Sequence, residues 1–185
     1  MDSYGKHGFP EILQDRLLTN RAFSDPIIDA RGGRELDLDL TFEIKTDMTL
    51  NANIGIPQVH FLIIGSNNIR RKEDPEMVSF FRAIAEHGSG LDNCHVFIGG
   101  LIPSLRTDKE SMERFQIYSR QLRALSRSFS KVSYVGFQKF FTTEGSINDG
   151  YYKPDKIHLN ELGVQLLTEA IVTALGSVRK SFLKN

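Results

Sequence analysis

Short, unbroken apolar runs alternate along the chain with longer stretches in which apolar residues recur every three or four positions. The clearest run is Val59-His60-Phe61-Leu62-Ile63-Ile64-Gly65, followed by Cys94-His95-Val96-Phe97-Ile98-Gly99 and Val132-Ser133-Tyr134-Val135-Gly136. Pro26-Ile27-Ile28-Asp29-Ala30 is a weaker fourth. Runs of branched residues that are apolar on both sides suit central strands of a parallel sheet covered on both faces. Between them the spacing is helical. Pro10 stands where a first-turn proline belongs, ahead of Ile12, Leu13, Leu17 and Leu18. Asp74-Pro75 opens a helix with Met77, Phe80, Phe81 and Ile84 as its stripe, and Met112, Phe115, Tyr118, Leu122, Leu125 and Phe129 make another. A last helix begins near Asn160, with Leu162, Leu166, Leu167, Ala170, Ile171 and Ala174 expected to face inward. Strand alternating with helix predicts right-handed crossovers in one α/β domain over residues 1–185, a three-layer α/β/α sandwich with a mostly parallel central sheet.

Composition narrows the setting without changing this picture. A chain of 185 residues suits one domain that buries enough surface to fold without covalent staples. Its one cysteine, Cys94, cannot form an internal disulfide, and no signal peptide or membrane-length apolar run is visible. A reducing compartment, the cytoplasm or nucleus, is therefore expected. The 23 basic and 23 acidic residues cancel, which argues against a uniformly basic nucleic-acid binder. Any nucleic-acid surface must then come from how the charges are distributed.

Open α/β sheets place their ligands beyond the carboxyl ends of the strands, so the chemistry is sought there. After the weak strand comes Ala30-Arg31-Gly32-Gly33-Arg34; after the Val59 strand, Gly65-Ser66-Asn67-Asn68-Ile69-Arg70. Before the last helix lies Asp155-Lys156-Ile157-His158. An aspartate three residues before a histidine can hold one imidazole nitrogen while the other serves a nucleophile. Asparagine and glycine N–H groups can donate to an oxyanion. Taken singly, each group is equally compatible with a turn residue.

In order and spacing these pieces resemble the SGNH/GDSL hydrolases, and the resemblance spans nearly the whole chain. It implies a vestigial triad of Ser3, Asp155 and His158, with Gly33 (or Gly32) and Asn67 at the oxyanion positions. Two departures count against catalysis. The family's Gly-Asp-Ser block is represented only by Met1-Asp2-Ser3, and its Gly-x-Asn-Asp reads Gly65-Ser66-Asn67-Asn68. A serine near a chain terminus is poorly held for attack.

Basic residues gather after the strands: Arg31, Arg34, Arg70, Arg71 and Lys72, then Arg106, with Lys153 and Lys156 around the Asp/His turn. Further clusters are Arg16 with Arg21, and Arg120, Arg123 and Arg127 on one helical face. A basic rim of this kind fits phosphate contact, with Tyr151 and Tyr152 among the aromatics available for base stacking. A narrower resemblance is carried by Asp2–Pro10, Asp29–Leu36 and Tyr151–His158, which look like the C-terminal domain of insect germ-plasm organisers. It implies a hydrolase-derived domain without activity that binds messenger RNA. Germ-granule proteins are the further partners it implies, and no cofactor, metal, membrane or small-molecule substrate is expected. The expected RNA surface is Arg16, Arg21, Arg31, Arg34, Arg70, Arg71, Lys153 and Lys156. Two rival readings remain open: an active esterase using Ser3, His158 and Asp155, and a protein-interaction scaffold that recruits partners through exposed apolar helix faces.

Overall fold

A computed structural model describes residues 9–19, 27, 35–70, 76–143 and 146–182. Its elements in chain order are α1 (Phe9–Thr19), α2 (Leu38–Asn53), β1 (Gln58–Leu62), α3 (Ser66–Arg70), α4 (Met77–Gly90), β2 (Cys94–Gly99), α5 (Lys109–Ser126) and β3 (Val132–Val135). There follow α6 (Gln138–Phe141), a small hairpin of β4 (Thr142–Thr143) and β5 (Ser146–Ile147), a 3-10 turn (Asp149–Tyr151) and α7 (Glu161–Phe182). The chain divides into two compact units, one built on the sheet (33–103 and 107–138), the other on α1 and the C-terminal segment (1–32, 104–106 and 139–185).

In the sheet unit, β1, β2 and β3 lie side by side and parallel, in sequence order. The register Val96 opposite His60 and Val132, and Ile98 opposite Leu62 and Tyr134, fixes which side chains share a face. That face is covered by α2, α4 and α5, and its core holds Cys94, Val96, Ile98 and Val132 against Met48, Met77, Phe81, Ile84, Phe115, Leu122 and Leu125. Sequential parallel strands whose helices cover one face are what crossovers of a single hand produce. Gly88 lets α4 lie close on the sheet, since a Cβ there would stand 2.5 Å from Val96 Cγ2. On the opposite face Phe61 stacks on Phe97 at 5.2 Å and on Phe137 at 6.1 Å. Only β2, the middle strand, is almost wholly buried; β1 and β3 are half-buried along most of their length. Burial pushes the Cys94 thiol up to about 11, so this lone cysteine is an inert core residue.

In the second unit, Leu13 and Leu17 of α1 are buried, as are Val164, Leu167, Ala170, Ile171 and Leu175 of α7, and the two helices pack together. Leu162 departs from the expected inward stripe. It is 60% exposed, because the buried row of α7 runs through Val164 one residue out of phase with it at the helix start. The Val59 strand is also shorter than its apolar run. It begins at Gln58 and ends at Leu62, and the chain then turns at Gly65, whose φ of +105° ends the extended path. Helix α2 was absent from the periodicity, although Asp37 caps it by accepting from Leu40 N at 2.8 Å. The expected strand Pro26–Ala30 lies outside the described residues apart from Ile27.

Candidate functional site

The Asp155/His158 turn is assembled from local hydrogen bonds. Tyr152 and Leu159 form an antiparallel bridge, Lys153 N donates to His158 O at 2.8 Å, and Asn160 N donates to Tyr151 O at 3.0 Å. Asn160 then pins both ends of the loop: its Nδ2 donates to Gly150 O at 2.7 Å, while its Oδ1 accepts from Gly163 N at 3.0 Å and caps α7. Within the turn, Asp155 Oδ1 accepts from Ile157 N at 2.9 Å and His158 N at 3.0 Å. Its Oδ2 lies 2.7 Å from His158 Nδ1. A carboxylate can only accept, so Nδ1 carries the proton and Nε2 is the basic nitrogen of the ring. The His158 side chain, then the two backbone N–H groups, hold the Asp155 carboxyl well below the usual carboxylate range. Both side chains are more than two-fifths exposed. The pair is thus an imidazole oriented by a carboxylate, with both groups open to solvent.

The turn after β1 is built differently. Gly65 has no room for a side chain, as a Cβ there would stand 2.7 Å from Met77 Sδ and 3.3 Å from Leu101 Cδ2. Asn67, the expected oxyanion donor, is the second residue of α3 and half-buried. Its neighbour Asn68 is 2% exposed, and its Oδ1 accepts from Leu36 N while its Nδ2 donates to Leu36 O, both at 2.9 Å. Where the hydrolase pattern has an acidic residue, this chain uses an amide that satisfies both backbone groups of Leu36 at once. A carboxylate could satisfy only the N–H.

Several expected site residues lie outside the described residues: Ser3, Gly32, Gly33, Arg21, Arg31, Arg34, Arg71 and Lys72. Arg70 ends α3 rather than lying on a loop. Lys156 is exposed and takes a left-handed φ of +61°, and its carbonyl accepts from Leu105 N at 3.0 Å. Arg16 is engaged by an acid, its Nε donating to Glu169 Oε1 at 2.9 Å. It also stands beside Glu11, Asp15 and Glu161, so its immediate surroundings are acidic. By contrast, Arg120, Arg123 and Arg127 are exposed along α5 and its C-terminal cap, and no carboxylate pairs with them among the described residues. Arg123 lies over the Tyr134 ring at 5.4 Å. Among the described residues no cluster of His, Cys, Asp and Glu could hold a metal ion, and no helix is long and apolar enough to cross a membrane.

No family model matches the chain, and no curated protein matches it in sequence. Solved structures do. A protein from Bacteroides fragilis assigned as an acylhydrolase superposes with a TM-score of 0.71 at 14% identity, over 93% of this chain and 82% of that one. A family 3 carbohydrate esterase from Clostridium thermocellum gives 0.65 at 14% identity, over 98% and 94%. A Streptococcus pneumonia protein assigned as a platelet activating factor gives 0.55 at 21% identity, over 64% of this chain, which spans 59% of that protein's length. At such identities the likeness concerns the backbone, and on that evidence this chain has the mixed α/β fold of the SGNH hydrolases, with a parallel sheet and helices.

Proposed function

We propose that this chain is an RNA-binding module on an SGNH hydrolase-like scaffold, resembling the C-terminal domain of the germ-plasm organiser Oskar and turning over no substrate of its own. The observation that carries this reading is the arginine row of α5. Arg16, Arg82 and Arg114 are each paired with a glutamate, whereas Arg120, Arg123 and Arg127 present their charge to solvent. In a chain with no net charge, an unneutralised row of this kind is a local phosphate-binding surface. Lys153 and Lys156 beside the Asp155/His158 turn add a second candidate patch, with the half-buried Tyr151 next to it. Tyr152, expected from the sequence as a stacking platform, is 6% exposed and packed with Phe141, which closes it to bases. Contacts would be to phosphates and unpaired bases of messenger RNA, independent of strict sequence. The same resemblance puts the parent protein in cytoplasmic germ granules, with granule proteins as its partners. The test is binding to a fluorescent single-stranded RNA across a salt series. Charge reversal of Arg120, Arg123 and Arg127 should weaken binding by at least about tenfold and flatten the log–log salt slope by about 2, at about 0.7 per lost phosphate contact. An unchanged slope in a variant that still folds would remove α5 from the site, and no binding at low salt would end the reading.

One observation favours a second reading, hydrolysis of esters: the intact Asp155–His158 hydrogen bond. Turnover of small acetyl esters that disappears in both His158→Ala and Ser3→Ala would establish it.

A further inference from the structure

Helix α2 is apolar on two sides. Leu40 and Met48 are buried in the sheet unit's core, with Ile44 packed against it. On the outward side Leu38, Phe42 and Leu50 are exposed, continued by Ile54 at the C-terminal cap, and the spacing is four residues or a multiple of it. Thr46 fills the remaining step of the row. Phe42 is 71% exposed and Leu50, the least exposed of the four, 59%. A single exposed leucine is ordinary on a protein surface, but a row of four exposed apolar residues broken only by Thr46 marks a contact site. Beside it, on the same four-residue spacing, runs an acidic ridge of Asp39, Glu43 and Asp47. Across 35–56 the chain carries five carboxylates (Glu35, Asp37, Asp39, Glu43, Asp47) against the single cation Lys45, a net charge of −4, within a chain that is neutral as a whole.

We infer that the Leu38–Phe42–Leu50–Ile54 ridge of α2 seats a basic amphipathic helix of a partner protein. Ridges at four-residue spacing interdigitate with those of another helix at a crossing angle of about −50°, so the surface is shaped for a helix. The flanking carboxylates select the charge. They attract lysines and arginines bordering the partner's apolar stripe, and they repel nucleic acid and anionic membrane. They also disfavour a symmetric dimer, since a two-fold contact through α2 brings two acidic ridges into one interface. This surface is separate in charge and in residues from the α5 arginine row, so the RNA reading can fail without it.

The experiment uses the full chain and three fluorescent synthetic helical peptides. One carries leucines at four-residue spacing flanked by Lys and Arg, the second the same leucines flanked by Glu, and the third is the basic peptide with its residues scrambled. The first binds with a dissociation constant on the order of 10 µM or tighter, and the other two bind at least about tenfold more weakly. The double variant Phe42→Ser, Leu50→Ser loses about tenfold toward the first peptide while its melting temperature stays put, because neither side chain is in the core. Asp39→Asn with Asp47→Asn loses less, and only at low salt. Equal affinity for the scrambled peptide would reduce the surface to a charge effect and overturn the proposal. So would unchanged binding in the Phe42→Ser, Leu50→Ser variant. Self-association of the chain that vanishes in that same variant would make a second copy the occupant and overturn it too.

Discussion

The turn after β1 and the turn before α7 resemble in sequence two motifs of one hydrolase pattern, and they are held by opposite means. The first is fixed by packing and by a contact between residues 32 positions apart: Gly65 under Met77, and Asn68 clasping Leu36. The second is fixed by neighbours in sequence, with a carboxylate that accepts from the two residues after it and from the ring three places on. A motif held by the core is bound up with stability. One held by its own turn can be substituted and leave the fold intact.

The comparison breaks most sharply at Gly65. A methyl group there meets Met77 Sδ at 2.7 Å, on a backbone whose φ of +105° few side chains tolerate. Overpacking and backbone strain add, so Gly65→Ala is expected to cost about 3 kcal/mol in urea unfolding. A cost below about 1 kcal/mol would mean that the turn yields and is not held by the core. Asn68→Ala comes next. It strands the buried N–H and C=O of Leu36 and should cost about 2 kcal/mol. Asn68→Asp restores the sequence pattern of the hydrolases yet should be no better at neutral pH, because a carboxylate facing Leu36 O is repelled. As pH falls and the acid protonates it can donate again, so this variant should recover relative to Asn68→Ala.

These contrasts explain what the sequence could disclose. Short apolar runs named the three strands of the parallel sheet, because each has branched residues facing a buried surface, whereas the two-residue strands β4 and β5 left no such run. The dyad was legible from two residues three apart, since the turn that joins them is local. Asn68 was not, because its partner Leu36 is brought to it only by the fold. Helix α2 stayed hidden for a related reason. Leu36-Asp37-Leu38-Asp39-Leu40-Thr41-Phe42-Glu43-Ile44 alternates like a half-buried strand, because a helix with apolar ridges on two opposite sides spaces its apolar residues by two. The N-cap Asp37 was the local signal that could have found it. The expected basic surface was legible only as a list of charges, and pairing such as that of Arg16 with Glu169 is tertiary information.

The locally held turn gives a smaller, pH-dependent effect. The Asp155 carboxyl is depressed by the His158 ring first and the two backbone N–H groups after it. A folded-state value below the unfolded one means that the stabilisation is fully present above about pH 4 and is lost as pH falls toward the folded value. Asp155→Asn should therefore melt slightly lower than the parent near neutrality, and the gap should begin to close only below about pH 4 and go on closing as the solution is acidified toward the depressed folded-state value. Because the pair is exposed, the gap should also shrink with salt. A gap that widened on acidification would reverse the assignment.

The smallest effect separates geometry from charge inside that turn. Lys156 has a left-handed φ of +61°, a conformation that costs an ordinary residue about 1 kcal/mol and that asparagine accepts readily. Its N–H donates to Lys153 O and its carbonyl accepts from Leu105 N, so the backbone is needed as it stands while the side chain is exposed. Glycine would relieve the strain but loosen the unfolded chain by a similar amount. Lys156→Asn should thus be neutral or stabilising by less than about 1 kcal/mol, Lys156→Gly close to neutral, and Lys156→Val, β-branched, destabilising by about 1–2 kcal/mol. The first two remove the charge and keep the turn. If RNA weakens equally on Lys156→Asn and Lys156→Gly, the ammonium group itself makes the contact. If both retain full affinity while reversal of the α5 arginines abolishes it, the dyad turn is not a phosphate site, and the RNA surface reduces to one face of one helix.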